Sequence, residues 1–181
     1  MIDSFSLGSS DAPSGVLSVA LFVNVENSSE ILARAKRGEL DTALIAVERV
    51  CGVFPLLCAA TRVLAAQASG TLKTNGWSSE LLYLLACNNN ISVAFARFGI
   101  APSSRAFLVA FTHADAARID AVLALVRGER APLEQLAALC DAASVRAHYA
   151  IADEEARVGD LESAVCNRVA LFGLKQAKDE Q

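Results

Sequence analysis

The sequence predicts an α+β domain: a small, mostly antiparallel sheet packed with several helices. Three observations lead there. Residues 16–25 and 105–111 are apolar runs with a β-branched bias, suited to strands buried on both faces. Capped segments with three- and four-residue apolar spacing outnumber those strands. The strands also fail to alternate regularly with crossover helices, as they would in a doubly wound sheet.

The elements follow in order. Residues 1–15, rich in Ser, Gly, Asp and Pro, read as a flexible lead-in to a single domain over 16–174. After the first strand, Ser28 or Ser29 caps a short helix through Lys36, closed by Gly38. Residues 40–50 carry mixed signals, and their type stays open. Pro55 suits the first turn of a helix running to Ala68, with Gly70 as its stop. Leu56, Leu57, Val63 and Leu64 make that helix apolar nearly all round, so it belongs in the centre.

Residues 71–77 connect to a helix over 79–85, capped by Ser78. Asn90 caps the next helix, 91–98, and Gly99 closes it in the left-handed conformation. After the second strand, Thr112 and Asp115 resemble a capping box for a helix over 114–126, with Ile119, Val122, Leu123 and Val126 as its stripe. Short helices are expected over 132–141 and 144–149. A longer one over 153–172 aligns Val158, Leu161, Val165, Val169 and Phe172, before a polar tail over 175–181.

Composition limits the function. The 54% hydrophobic content excludes disorder for most of the chain. The 20% charged fraction fits either a large core or apolar surface held against another protein. A net charge of −4 argues against a stand-alone nucleic-acid binder. The first basic residue is Arg34, so no signal-peptide n-region is expected. The longest apolar runs, 16–23 and 50–61, are too short to span a bilayer, and no membrane partner is expected. Five cysteines without a CxxC pair, and only two histidines, assemble no zinc spacing. Reduced core thiols in a reducing compartment are expected, with no metal and no cofactor.

No catalytic residue emerges. A P-loop, GxGxxG and GxSxG are all absent from the sequence. Cys140 with His148 could pair a nucleophile with a base, but Cys140 follows Ala-Ala-Leu and reads as core. Asp153, Glu154 and Glu155 precede a helix, where carboxylates stabilise its positive end. The most unusual feature is a series: Lys73-Thr74, Ser79-Glu80-Leu81-Leu82, Asn88-Asn89-Asn90-Ile91, and Phe98-Gly99-Ile100. Physically it reads either as a polar turn joining two helices or as a pocket whose amides can bond a base edge or ribose.

That series resembles the TPRKB family, the kinase-binding subunit of the KEOPS (EKC) complex. Lys73-Thr74-Asn75, Ser79-Glu80, Asn89-Asn90-Ile91 and Phe98-Gly99-Ile100 stand at the family's separations, with Asn75 where the family has Arg. Counterparts of the 16–25 strand, the Ala-rich helix, the 107–111 strand and the closing helix follow in the same order. The resemblance implies a non-catalytic accessory subunit, cytoplasmic and nuclear. Such a subunit binds a small atypical kinase of the PRPK type, and through it the remaining subunits. It also touches the single-stranded 3′ end of tRNA for threonylcarbamoyl-adenosine modification beside the anticodon. On this reading Leu32, Ala35, Leu161, Val165, Val169 and Phe172 are the expected kinase contacts. Lys73, Asn75, Asn88, Asn89 and Arg97 are the expected tRNA contacts, with Arg34, Lys36 and Arg37 as a second basic patch. An independent RNA-binding module and a cysteine-dependent enzyme are the rival readings.

Overall fold

The computed structural model describes residues 2–8, 14–152, 154–155 and 159–173. Its spine is β2 (Gly15–Val23). β4 (Phe107–Thr112) lies along one edge of β2, and β3 (Ala43–Ala46) lies along β4. The other edge of β2 is shared end to end: β1 (Asp3–Leu7) pairs with its first half and β5 (Glu129–Ala131) with its last residues. All these pairings are antiparallel, as expected for the α+β class.

Period-two alternation divides the core into two layers. Leu17, Val19 and Leu21 of β2 and Leu108 and Ala110 of β4 point to one face. There they meet Leu56 of α2 (Val53–Ser69), Leu81 of α3 (Trp77–Ala86) and Phe98 of α4 (Ile91–Phe98). The alternate residues, Ala20, Phe22, Val109 and Phe111, meet Ile31 of α1 (Ser28–Lys36) and Leu123 of α5 (Ala116–Leu123). The short α6 (Leu136–Leu139) and α7 (Ala142–Tyr149) and the last helix, α8 (Leu161–Leu171), complete the first layer. Among the described residues, no helix is long and apolar enough to cross a membrane.

The structure corrects several expectations. Within the expected lead-in, residues 3–7 form β1, which pairs Phe5 with Leu17 and buries Leu7. Residues 40–50 supply β3 and a 3-10 turn, Val47–Arg49. Ser78 is no cap, because α3 starts one residue earlier, behind Gly76. Neither Ser28 nor Ser29 caps α1: Asn27 holds that position, and the Ser28 hydroxyl bonds the Ser104 carbonyl. Asp115 alone caps α5, accepting from the Arg118 N–H at 2.7 Å. Gly99 is not left-handed: its φ is −76°. A glycine is needed there for space, since a Cβ would sit 2.6 Å from the Phe95 carbonyl oxygen. The expected helix over 153–172 is interrupted: Glu154 and Glu155 are helical, Gly159 bends the chain, and α8 starts afresh at Leu161 with Asp160 as its cap. Asp153, Val158 and the tail over 175–181 lie outside the described residues.

Helices α2 and α8 are joined by two reciprocal clasps. The Glu162 carboxylate accepts the Phe54 N–H at 2.8 Å, satisfying one orphan donor at the start of α2. Arg62 on α2 reaches the other way, donating to the carbonyls of Val169 and Phe172 at the end of α8. The contacts advance in step along both helices, so the two run side by side in the same direction. Gly52 makes room for the first clasp, because a Cβ there would overlap the Glu162 carboxylate.

Candidate partner-binding surface

The series singled out in the sequence is built around α3. Glu80 lies on an apolar helix, 2% exposed. Its Oε2 accepts three donors: the N–H of Lys73 at 3.0 Å, the N–H of Thr74 at 2.9 Å and the Thr74 hydroxyl at 2.9 Å. A buried carboxylate requires such partners. Here they shape the loop before α3, leaving Lys73 and Asn75 exposed to solvent. Glu80 was part of the sequence motif but had no role assigned; a lone Glu on an otherwise apolar helix was the available signal.

The far end of α3 carries the Asn turn. Cys87 ends the helix in the left-handed region with φ 46°. Asn88 Oδ1 accepts the Asn90 N–H at 2.8 Å, and Asn89 Oδ1 accepts the Tyr83 hydroxyl at 3.1 Å. Asn90 caps α4 as expected, accepting from the N–H groups of Ser92 and Val93. Arg97 is exposed and donates to Nδ1 of His148 at 3.0 Å. His148 is fixed in turn by its Nε2, 2.8 Å from the Ala86 carbonyl. The expected tRNA residues therefore form two groups rather than one pocket: Lys73 and Asn75 before α3, and Asn88, Asn89 and Arg97 after it, roughly 15 Å apart at 1.5 Å per residue. The second basic patch is partly neutralised. Arg34 pairs with Glu30 at 3.4 Å and Glu39 at 3.9 Å, and Arg37 also pairs with Glu39. Lys36 stays exposed.

The expected kinase contacts separate likewise. Val165 and Val169 are 1% and 0% exposed, packed in the protein's own core, and cannot serve as a docking surface. The α8 stripe faces α2 because burying it there completes the first layer. Leu161 is half-buried, and Phe172 packs edge-on against Tyr83 with ring centres 5.3 Å apart. Leu32 and Ala35 of α1, by contrast, line an open groove of about 550 Å³. Leu44 of β3, Leu82 of α3, and Phe95 and Ile100 on and after α4 continue its apolar wall. Lys36, Ser78 and Ser79 stand on its polar side. Phe95 is 43% exposed and Ile91, one turn earlier, 39%. Sequence reasoning missed both; Ala94 and Phe98 point inward, so residues 91 and 95 take the outer face of α4.

Cys140 and His148 are not arranged as a nucleophile and its base. Burial pushes the Cys51 and Cys87 thiols up to about 12 and raises Cys140 as well. His148, held by Ala86 and Arg97, is committed away from Cys140. Among the described residues, no group of three or more His, Cys, Asp or Glu is arranged to hold a metal ion.

The sequence model of the family described as "Kinase binding protein CGI-121" matches residues 22–173. A relative named "EKC/KEOPS complex subunit TPRKB", from Danio rerio, is 33% identical over 153 residues, covering 83% of this chain and 87% of the relative. "EKC/KEOPS complex subunit CGI121" of Gibberella zeae is 29% identical over 86% of this chain and 91% of its own length. A Neurospora crassa protein, "EKC/KEOPS complex subunit cgi121", is 27% identical over 86% of this chain and 91% of its own length.

Proposed function

The chain belongs to the CGI-121 family of kinase-binding proteins, and from that membership we propose that it is a non-catalytic accessory subunit of an EKC/KEOPS assembly. In this role it binds the assembly's small atypical kinase and helps bring tRNA to it for threonylcarbamoyl-adenosine modification. The observation that carries the docking reading is the groove between α1, β3, α3 and α4, with Phe95 exposed on its wall. A partly exposed aromatic beside a preformed apolar groove is what a partner buries at the centre of an interface. The proposed kinase contacts are accordingly Leu32, Ala35 and Phe95, not the buried stripe of α8.

For tRNA the proposed contacts are Lys73 and Asn75 before α3, and Asn88, Asn89 and Arg97 beyond it. The exposed Asn75 and Asn89 amides, with Lys73 in one group and Arg97 in the other, suit a flexible single strand. A chain of net charge −4 lacks the broad positive face of an independent RNA binder, so its partners supply the remaining charge.

The test is co-expression with the small kinase of the same organism, followed by size-exclusion chromatography with light scattering. A one-to-one complex is the expected result, and tRNA binding should strengthen when the kinase is present. A folded chain that stays alone would overturn the kinase reading. Tight, salt-sensitive tRNA binding by the isolated chain would favour an independent RNA-binding module instead.

A further inference from the structure

Between the two clasps that join α2 to α8 lie about two shared helical turns. Phe54 and Glu162 mark their start, and Arg62 with the Val169 and Phe172 carbonyls marks their end. Cys58 stands four residues after Phe54, and Cys166 stands four residues after Glu162. Parallel helices in step place these two at the same level, and the Cys166 thiol is near enough to raise the pKa of Cys58. Small residues beside them, Ala59 and Ala164, are 0% and 6% exposed and let the helix backbones approach closely. Both cysteines are only half-buried.

We infer that Cys58 and Cys166 are a redox modification site, which a hydroperoxide converts into an intramolecular disulfide joining α2 to α8. The chemistry balances in two steps. One thiolate attacks the peroxide oxygen; the O–O bond breaks, and the released alkoxide or hydroxide leaves as alcohol or water after taking a proton. The sulfenic acid so formed is attacked by the second sulfur; its S–O bond breaks, and hydroxide leaves as water with the second thiol's proton. Two thiols lose two electrons and the hydroperoxide gains them.

The other cysteines are worse placed. Cys51 is 8% exposed, and the Cys87 thiol donates to the Leu84 carbonyl at 3.3 Å. Burial, and then the neighbouring Cys166 thiol, pushes Cys58 up to about 11. The bond therefore forms slowly at neutral pH and faster as the pH rises.

The test uses the full chain treated with hydrogen peroxide at pH 7 and pH 9, alkylated, digested with trypsin without reductant and read by mass spectrometry. The expected product links residues 50–62 to residues 158–168, forms faster at pH 9 and disappears with dithiothreitol. Since residues 50–62 also hold Cys51, the link must persist in Cys51→Ser and vanish in Cys58→Ser. The melting temperature of the unsubstituted chain should rise by about 5–10 °C on oxidation, because the bond closes a long loop. Sulfinic or sulfonic acid at either position without a link would overturn the inference. A link made only by Cys51, Cys87 or Cys140, or only between two chains, would overturn it too.

Discussion

Arg97 donates a hydrogen bond to Nδ1 of His148 at 3.0 Å, and this contact fixes the imidazole as neutral. Its Nε2 carries the proton and gives it to the Ala86 carbonyl, so Nδ1 must accept. Burial holds His148 below its ordinary 6.5; the Ala86 carbonyl pulls the other way, and the nearby Arg97 and Arg49 guanidiniums add smaller downward pushes.

Stability should therefore fall on acidification. The unfolded chain takes up a proton at His148 as the pH drops past about 6.5, while the folded chain resists it. Acid thus favours unfolding between 6.5 and the lower folded value, and above that window the contribution is complete. Thermal unfolding from pH 7.5 down to pH 5 should show a decline, shallower in His148→Gln. Equal slopes would contradict this account.

Replacing Glu80 tests the loop before α3. Glu80→Ala leaves the N–H groups of Lys73 and Thr74 and the Thr74 hydroxyl without their acceptor. The expected cost is about 2–4 kcal/mol in denaturant unfolding. Amide exchange at Lys73 and Thr74 should accelerate more than at Ser92 or Val93, whose acceptor is Asn90.

Charges placed on Phe95 and on Val169 should separate surface from core. Phe95→Asp alters an exposed groove residue; we expect a melting temperature within about 3 °C of the parent and kinase affinity reduced more than tenfold. Val169→Asp puts a charge where exposure is 0% and should unfold the chain or cost more than about 3 kcal/mol. Light scattering with the kinase and circular dichroism read the two effects apart.

Gly52→Ala isolates the first clasp. Gly52 has φ 177°, extended backbone open to any residue, so the substitution carries no backbone strain. Its Cβ would instead displace the Glu162 carboxylate from the Phe54 N–H. The expected loss is about 1–2 kcal/mol, the scale of a lost helix cap. Glu162→Ala should cost a similar amount, and the double variant little more.

The two central strands, β2 and β4, and most helices were legible in the sequence because each leaves a local trace. Residues 16–25 and 105–111 showed unbroken apolar runs, and Asn90 and Gly70 gave correct helix boundaries. β1 and β5 left weaker traces: one alternates beneath a serine-rich composition, and the other is three residues long with two exposed. The motif around Lys73, Glu80 and Asn90 marked the α3 region, yet nothing local told that Glu80 faces inward to hold a loop. The α8 stripe was read correctly as apolar, but periodicity does not say whether a stripe meets its own core or a partner. Phe95 was missed for the converse reason: a Phe on a short apolar helix reads as core, and only the inward turn of Ala94 and Phe98 sends it out.

The pairing of α2 with α8 bears on how the chain is made. At the ribosome, α2 emerges more than ninety residues before Glu162, so the donor at its N-terminus waits in water through most of synthesis. Leu56, Val63 and their neighbours wait with it, since part of the surface that covers them belongs to the last helix. Nascent chains stalled before residue 161 should consequently be protease-sensitive and adhere to chaperones, and only release of α8 should close the layer. Residues 161–171, made more than ninety residues after α2, thus complete the core that α2 begins.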